Sequence, residues 1–252
     1  MIKGLKVFQK HFGPLKDSFV IIGGTACSLV LESGNAEFRS TKDIDMVLHI
    51  EVLDQAFYES FKKFVANGGY SNIQKSRGKK VFYRFQEPKN KDYPEIVELF
   101  SRKPEAINLK LTQYITPIPA PEEVSDLSAI LMKAEYYELI FSRKTEISGL
   151  PVAPAEILIP FKAHAWLVLT HLKTKGKDIK DEDIKKHKRD VFRLSQIIPK
   201  NQRIDLPDSV GQDLAEFLTE TEKVPFSLKP FKIRRSFSDV IAGLRANYNL
   251  VA

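Results

Sequence analysis

Apolar and polar residues follow a strand-like pattern in the first half of the chain and a helix-like pattern over most of the second. The apolar run at 19–22 ends in Gly23-Gly24 and continues into a mostly apolar segment, which predicts a strand, a tight turn and a helix. Alternation over 43–50 predicts a second strand. Further strands are predicted over 79–85, 94–101 and 111–118. Helices are predicted over 2–12, 52–66, 133–143, 155–172, 178–197, 207–221 and 236–247.

The prolines at 117, 119 and 121 mark a change in this pattern, because most predicted strands precede them and most predicted helices follow. The sequence therefore predicts an α/β (α+β) fold. A mixed β-sheet domain with helices is expected over 1–120, and a mostly α-helical C-terminal domain over 121–252. A length of 252 residues suits one large domain or two small ones.

The net charge of +7 is concentrated in three stretches. Residues 75–91 carry +6 and residues 173–193 and 229–245 carry +4 each, so the rest of the chain is net negative. A basic zone on an acidic body is typical of a protein that binds a polyanion, although solvated loops and helix faces give the same pattern. We interpret the first two stretches as two walls of one cleft, since each adjoins a segment with candidate chemistry.

Cysteine content and hydropathy limit the compartment. The single cysteine, Cys27, excludes an internal disulfide and a cysteine-based zinc site. The first residues lack the apolar run of a signal peptide, and the longest apolar stretch, 20–31, is too short to span a membrane. The sequence therefore predicts a cytoplasmic protein without membrane contact.

Two carboxylates lie two residues apart on the predicted strand at 43–50. Asp43 and Asp45 would project from one face, where a cation must offset their repulsion, and Mg²⁺ accepts one or two carboxylates together with phosphate oxygens. Glu98 lies between apolar residues of the next strand and is expensive to bury unless it binds metal or pairs with a basic neighbour such as Arg84. Glu95 is the second choice for a third carboxylate.

The turn Gly23-Gly24-Thr25 is the second candidate feature. It offers unhindered backbone N–H groups and a hydroxyl at the start of a predicted helix, where phosphate groups bind readily. A Gly-Gly pair between a strand and a helix is also compatible with a turn that has no ligand.

Together these motifs resemble a known group of enzymes. Gly23-Gly24-Thr25, Arg39-x-Thr41-x-Asp43-Ile44-Asp45 and an acid inside an apolar strand are similar to the nucleotidyltransferase superfamily related to DNA polymerase β. Within it, the chain resembles the AbiEii group of abortive-infection and toxin–antitoxin nucleotidyltransferases, which also carries a lysine and a basic-aspartate pair on later helices. Here these are Lys162 and Arg189-Asp190, and the resemblance spans roughly 18–198.

The chain also departs from this group in two places. Eighteen residues separate Gly24 from Asp43, and Arg193 stands where a second aspartate often follows Asp190.

The fold that the resemblance implies is a nucleotidyltransferase-type mixed sheet whose helical C-terminal domain completes the nucleotide and acceptor cleft.

The resemblance implies transfer of a nucleotidyl group from an NTP to an acceptor hydroxyl. Asp43, Asp45 and Glu98 are then both the catalytic residues and the ligands of Mg²⁺, with Mn²⁺ as the alternative ion, and Glu98 also accepts the proton of the hydroxyl. The implied nucleotide-binding set is Gly23, Gly24, Thr25, Arg39, Lys162 and Asp190. Two of these residues have alternative roles. Lys162 could be a side chain that extends from a buried helix to place its ammonium in solvent. Asp190 could only hold Lys162 or form a surface ion pair.

Three functions remain open. The first is the toxin of a bacterial toxin–antitoxin pair that modifies RNA, with the 3′ end of tRNA as the expected acceptor and a small antitoxin encoded nearby as a partner. The second keeps the chemistry and changes the acceptor to an aminoglycoside-like small molecule or a protein hydroxyl. The third is a nucleotide- or partner-binding module without turnover.

Overall fold

A mixed β-sheet is built by the first part of the chain and a group of helices by the second, in a computed structural model that describes residues 2–39, 41–71, 73–74, 79–80, 83–102, 115–117 and 128–250. Two units can be distinguished, one of residues 1–29 and 39–153, the other of residues 30–38 and 154–252. The first unit extends beyond the predicted limit at residue 120 because strands between 128 and 152 join its sheet.

The sheet of the first unit contains parallel and antiparallel neighbours. Its strands are β1 Phe19–Ile22, β2 Asp43–Leu48, β5 Arg84–Gln86, β6 Ile96–Ser101, β7 Ile115–Pro117, β8 Ser128–Leu131, β9 Thr145–Ile147 and β10 Leu150–Val152. The strand order is β7-β8-β6-β2-β1-β10-β9, and β5 pairs with β6. Because β2 is antiparallel to β1 and parallel to β6, the predicted mixed sheet is confirmed. A separate pair is formed by β3 Ile73–Gln74 and β4 Lys79–Lys80.

Two of the predicted strands lie only partly within the described residues. Residues 81–82 of the predicted strand at 79–85, and 111–114 and 118 of the one at 111–118, lie outside the described residues. The hairpin of β9 and β10 was not predicted, since each strand has three residues. Its turn uses Ser148 and Gly149 with φ of 52° and 73°, the left-handed geometry of a two-residue hairpin.

An aromatic core packs two helices of the first unit against β1. The helices that begin in this unit are α1 Leu5–Phe12, α2 Gly23–Ser33, α3 Gln55–Gly68 and α4 Ala134–Arg143. The fully buried rings are those of Phe8, Phe12, Phe19, Phe57, Phe61 and Phe64. Phe12 contacts rings of both β1 and α3, so α1 and α3 hold the strand that leads into the glycine turn.

Local signals explain where α3 begins and ends. The side chain of Asp54 accepts a hydrogen bond of 2.9 Å from the backbone N–H of Phe57, which satisfies a donor of the first turn. Gly69, at φ 61°, ends the helix in the left-handed conformation.

The helices of the second unit agree with the sequence pattern. They are α5 Ala155–Thr174, α6 Asp181–Leu194, α7 Asp208–Glu222 and α8 Phe237–Asn247. The N-terminal half of α5 is buried nearly all round, from Ala155 to Ala163. Among the described residues, every helix is too short or too polar to cross a lipid bilayer.

Candidate active site

The two aspartates of β2 lie on one face of the sheet. Asp43 and Asp45 are half-buried, whereas Ile44 and Met46 are fully buried on the opposite face. β2 lies between β1 and β6, and Asp45 is level with Ile22 on one side. This alternation places both carboxylates on the more open face of a central strand, as the sequence predicts.

Gly23 brings the glycine turn directly against the second aspartate. Its φ of 69° lies in the left-handed region, and a Cβ at this position would overlap the Asp45 carboxylate, with the carboxyl carbon only 2.7 Å away. Only glycine allows the backbone this conformation and this approach at low cost. The two motifs, 18 residues apart in sequence, are therefore in contact.

Gly24 places the same turn beside the residues that precede β2. A Cβ at Gly24 would lie 2.7 Å from the hydroxyl oxygen of Thr41 and 3.6 Å from a guanidinium nitrogen of Arg39. Helix α2 begins here and has no acidic residue in its first turn. The positive end of a helix and an arginine thus lie at one turn, an arrangement suited to binding phosphate.

Thr25 joins the turn to the strand. Its side chain is fully buried, and its hydroxyl donates a hydrogen bond of 2.6 Å to the backbone carbonyl of Asp43. The sequence predicted that this hydroxyl binds phosphate, but in this conformation it faces the protein interior. Thr25 instead holds the start of β2 against the start of α2.

Glu98 lies on the same face as the two aspartates. It is level with Asp45 across the parallel pair of β2 and β6. One carboxylate oxygen accepts a hydrogen bond from the guanidinium of Arg84, which is level with Glu98 on β5. The alternative that the sequence allowed for Glu98, pairing with Arg84, is therefore present.

Glu95, the second choice for a third carboxylate, is held by two lysines. Its oxygens lie 3.2 Å from the Lys42 ammonium and 3.3 Å from that of Lys3, and hydrogen bonds from these lysines lower the pKa of Glu95 below its ordinary value. In the part of the chain that the structure describes, no group of three histidine, cysteine, aspartate or glutamate side chains is arranged to hold a metal ion.

The donor set nevertheless fits a magnesium ion that arrives with a nucleotide. Mg²⁺ binds through one or two carboxylates and takes its other ligands from phosphate and water. Asp43 and Asp45 supply two carboxylates on one half-buried face, and the missing Cβ of Gly23 leaves room for the Asp45 carboxylate beside the glycine turn. A third protein ligand is not required.

In the second unit, a buried carboxylate is shared by two cations. The ammonium of Lys162, on α5, lies 3.4 Å from one oxygen of Asp190, on α6. Arg193 donates a hydrogen bond of 3.2 Å to the other oxygen, and its guanidinium lies 4.5 Å from the centre of the Phe231 ring. Lys162 is 5% exposed and Asp190 is fully buried. Of the three roles that the sequence allowed for Asp190, burial excludes the surface ion pair and the structure shows the contact with Lys162. Its hydrogen bond to the nucleotide stays a prediction.

One ion pair of this unit, that of His164, was not predicted from the sequence. His164 has no carboxylate at a matching turn of its own helix, which predicts a packing or surface residue. Its Nδ1 lies 2.9 Å from a carboxylate oxygen of Asp213, which belongs to α7. No local pattern could have revealed this pair, because the two residues are on different helices.

The first of the basic stretches is only partly described. Residues 75–78 and 81–82 of the first lie outside the described residues. In the second, Lys173, Lys186 and Arg189 pair with acidic residues of α6, so part of its charge is neutralised at short range. The expectation that the two stretches form the walls of one cleft stays a prediction, as does contact of Lys162 with the nucleotide.

The shared carboxylate leads to a stability prediction. Asp190→Asn should lower the free energy of unfolding by about 3 kcal/mol, because it removes the charge that Lys162 and Arg193 both contact in a buried site. Urea unfolding of the full chain checks this. The control, Asp183→Asn, removes an exposed partner of Lys186 on the same helix and should cost less than about 1 kcal/mol. Equal effects of both substitutions would show that burial of Asp190 does not matter.

The fold and the site define a class of protein, and sequence comparison identifies the family. A mixed sheet with paired aspartates beside a glycine turn at a helix N-terminus has the features of a nucleotidyltransferase. The family model of the AbiEii nucleotidyl transferase toxin, of type IV toxin–antitoxin systems, matches residues 9–184. The chain belongs to this family and is a nucleotidyltransferase, which confirms the resemblance found in the sequence.

Two solved structures are similar to the chain. One is a candidate nucleotidyltransferase from H. pylori, with a TM-score of 0.40 and 13% identity, covering 98% of this chain and 92% of that one. The other is JHP933 from Helicobacter pylori, with a TM-score of 0.38 and 13% identity, covering 98% of this chain and 89% of that one. No curated protein matches the sequence.

Proposed function

We propose that this nucleotidyltransferase transfers NMP from an NTP to a hydroxyl of RNA, with Mg²⁺ or Mn²⁺, as the toxin of its toxin–antitoxin system. The observation that supports this most strongly is the contact of Gly23 with Asp45, because it joins a phosphate-binding turn to a pair of metal-binding carboxylates. The net charge of +7 favours a polyanionic acceptor over a cationic drug.

The turn and its neighbours bind the triphosphate in this proposal. The backbone N–H groups at the start of α2 face the phosphates, and the Arg39 guanidinium beside Gly24 adds a planar, permanently charged donor. Thr25 keeps the turn and β2 in register through its hydrogen bond to the Asp43 carbonyl.

Asp43 and Asp45 would hold the metal ion, which when bound would offset phosphate charge and acidify the acceptor hydroxyl. Glu98, level with Asp45, is the carboxylate assigned to accept the proton. The acceptor oxygen forms a bond to the α-phosphorus, the bond from that phosphorus to the bridging oxygen breaks, and pyrophosphate leaves with the electron pair. Arg84 holds Glu98 in place on the acceptor side.

An acceptor screen tests this function. Purified protein is incubated with Mg²⁺ and each α-labelled NTP in the presence of bulk tRNA, total protein or an aminoglycoside. We expect label in tRNA. Label in protein or in the drug with tRNA unlabelled would support the second function instead. A melting temperature that rises with NTP, without label in any acceptor, would favour a binding module.

The toxin assignment also implies a protein partner. The family description names a toxin–antitoxin system, and we infer an antitoxin encoded next to this chain. Co-expression of the neighbouring small reading frame should relieve any growth arrest that the active protein causes and that the Asp45→Asn variant does not cause.

A further inference from the structure

A pocket of about 490 Å³ lies within the first unit, where β5 ends and β6 begins. Its lining consists of two lysines, two glutamates and three uncharged residues: Lys3, Lys91, Glu87, Glu95, Gln86, Pro88 and Ile96. None of these residues has a role in the nucleotide binding described above. The volume falls within the range of small-ligand sites in proteins.

The register of three strands connects the pocket to the aspartates. Ile96 of β6 is level with Asp43 of β2, and Gln86 of β5 is level with Ile96. Side chains at level positions of neighbouring strands project from the same face, and neighbouring strands are about 4.8 Å apart. Asp43, Ile96 and Gln86 therefore form one row on the carboxylate face, and Gln86 lies about 10 Å from Asp43.

The glycine turn and the pocket lie on opposite sides of the aspartates. The turn follows β1, which is one neighbour of β2, and the pocket is lined by β5 and β6, on the other side. In displacement at phosphorus, the attacking and leaving oxygens lie roughly in line. With the triphosphate on the turn, the leaving pyrophosphate is on the β1 side, so the attacking hydroxyl arrives from the side of the pocket.

The lining suits a nucleotide. Pro88 and Ile96 provide apolar surface for a base. The Gln86 amide oxygen accepts a hydrogen bond of 3.3 Å from Nε of Arg84, and the NH₂ group of the same amide can donate to a base edge. Lys91 provides positive charge for a phosphate. Of the two acidic members, Glu95 is paired with both Lys3 and Lys42, which exceed its charge by one, and Glu87 is exposed.

We propose that this pocket binds the terminal nucleotide of the RNA acceptor and presents its hydroxyl to the metal-bound NTP. The inference rests on the proposed function and adds to it a location for the acceptor. It assigns Gln86 and Lys91 as acceptor-binding residues on the first unit alone.

Two exposed lysines of the first unit provide a matched test. Lys91→Glu should raise the dissociation constant for acceptor RNA about tenfold, because it reverses a charge at the pocket. Lys62→Glu makes the same change on an exposed lysine of α3 that does not line the pocket, and it should alter the dissociation constant less than about twofold. Neither variant should change the rise in melting temperature that Mg²⁺ and NTP produce. Equal effects of the two variants on RNA binding would overturn the proposal.

Crosslinking locates the RNA end without relying on turnover. Acceptor RNA with a photoreactive terminal nucleotide should crosslink to the full-length protein at Lys3 or within 83–96, and the Gln86→Ala variant should crosslink less. Crosslinks confined to other segments would overturn the proposal. Wild-type protein that labels RNA in the acceptor screen while these tests fail would refute the pocket alone, whereas wild-type protein that labels no RNA would refute the proposed function.

Discussion

Asp45→Asn is expected to reduce the rate of nucleotidyl transfer by about 10³-fold or more, because it removes a charge from a two-carboxylate metal site. The replacement keeps the shape of the side chain, so the contact with Gly23 and the position of β2 should persist. Incorporation of α-labelled NMP into acceptor RNA under single-turnover conditions measures the effect. Thermal unfolding without ligand should be little changed.

The control for this variant is a substitution of a solvent-exposed carboxylate. The side chain of Asp17 is 90% exposed, and Asp17→Asn should leave both transfer and NTP binding unchanged. In Asp45→Asn, the rise in melting temperature with NTP should no longer depend on Mg²⁺. An Asp45→Asn protein that transfers NMP at the wild-type rate would contradict the assignment of this carboxylate.

Gly23→Ala is the second substitution with a large expected effect. The added Cβ overlaps the Asp45 carboxylate, and the alanine must adopt the left-handed backbone conformation of Gly23. The conformation alone costs about 1–2 kcal/mol, and displacement of the carboxylate should lower transfer at least about 10²-fold. Denaturant unfolding and single-turnover transfer measure the two effects separately.

Gly13→Ala is the matched control in the same unit. Gly13 has an ordinary helical φ of −54°, and nothing lies within 4 Å of a Cβ built there. The change should leave transfer unaltered and raise stability by up to about 1 kcal/mol, because alanine restricts the unfolded chain. If Gly23→Ala behaved like Gly13→Ala, the close approach of the turn to Asp45 would not matter for the reaction.

Much of the fold could be predicted because the periodicity is strong where the elements are long. Segments such as α5 and β2 have clear helical or alternating patterns, and both are found where the sequence placed them. The hairpin of β9 and β10 is too short to leave a pattern, and it is held by the neighbouring strand β1. The limit at residue 120 followed composition, whereas the unit follows the pairing of strands distant in sequence.

The candidate site shows the same division between local and distant information. Alternation on β2 was enough to place Asp43 and Asp45 on one face. The burial of the Thr25 hydroxyl depends on how α2 packs against β2, and no spacing rule contains that information. The pairing of Arg84 with Glu98 depends on the register of β5 against β6, so the sequence could offer it only as an alternative.

Transfer of label from two positions of the NTP tests the central claim most directly. Protein, Mg²⁺ and tRNA are incubated with an NTP labelled at the α-phosphate and, in parallel, with the same NTP labelled at the γ-phosphate. A nucleotidyltransferase with this site should place α-label in RNA and release γ-label in pyrophosphate, and the Asp45→Asn variant should do neither. Label from the γ-phosphate in RNA, or α-label that persists in Asp45→Asn, would contradict the account.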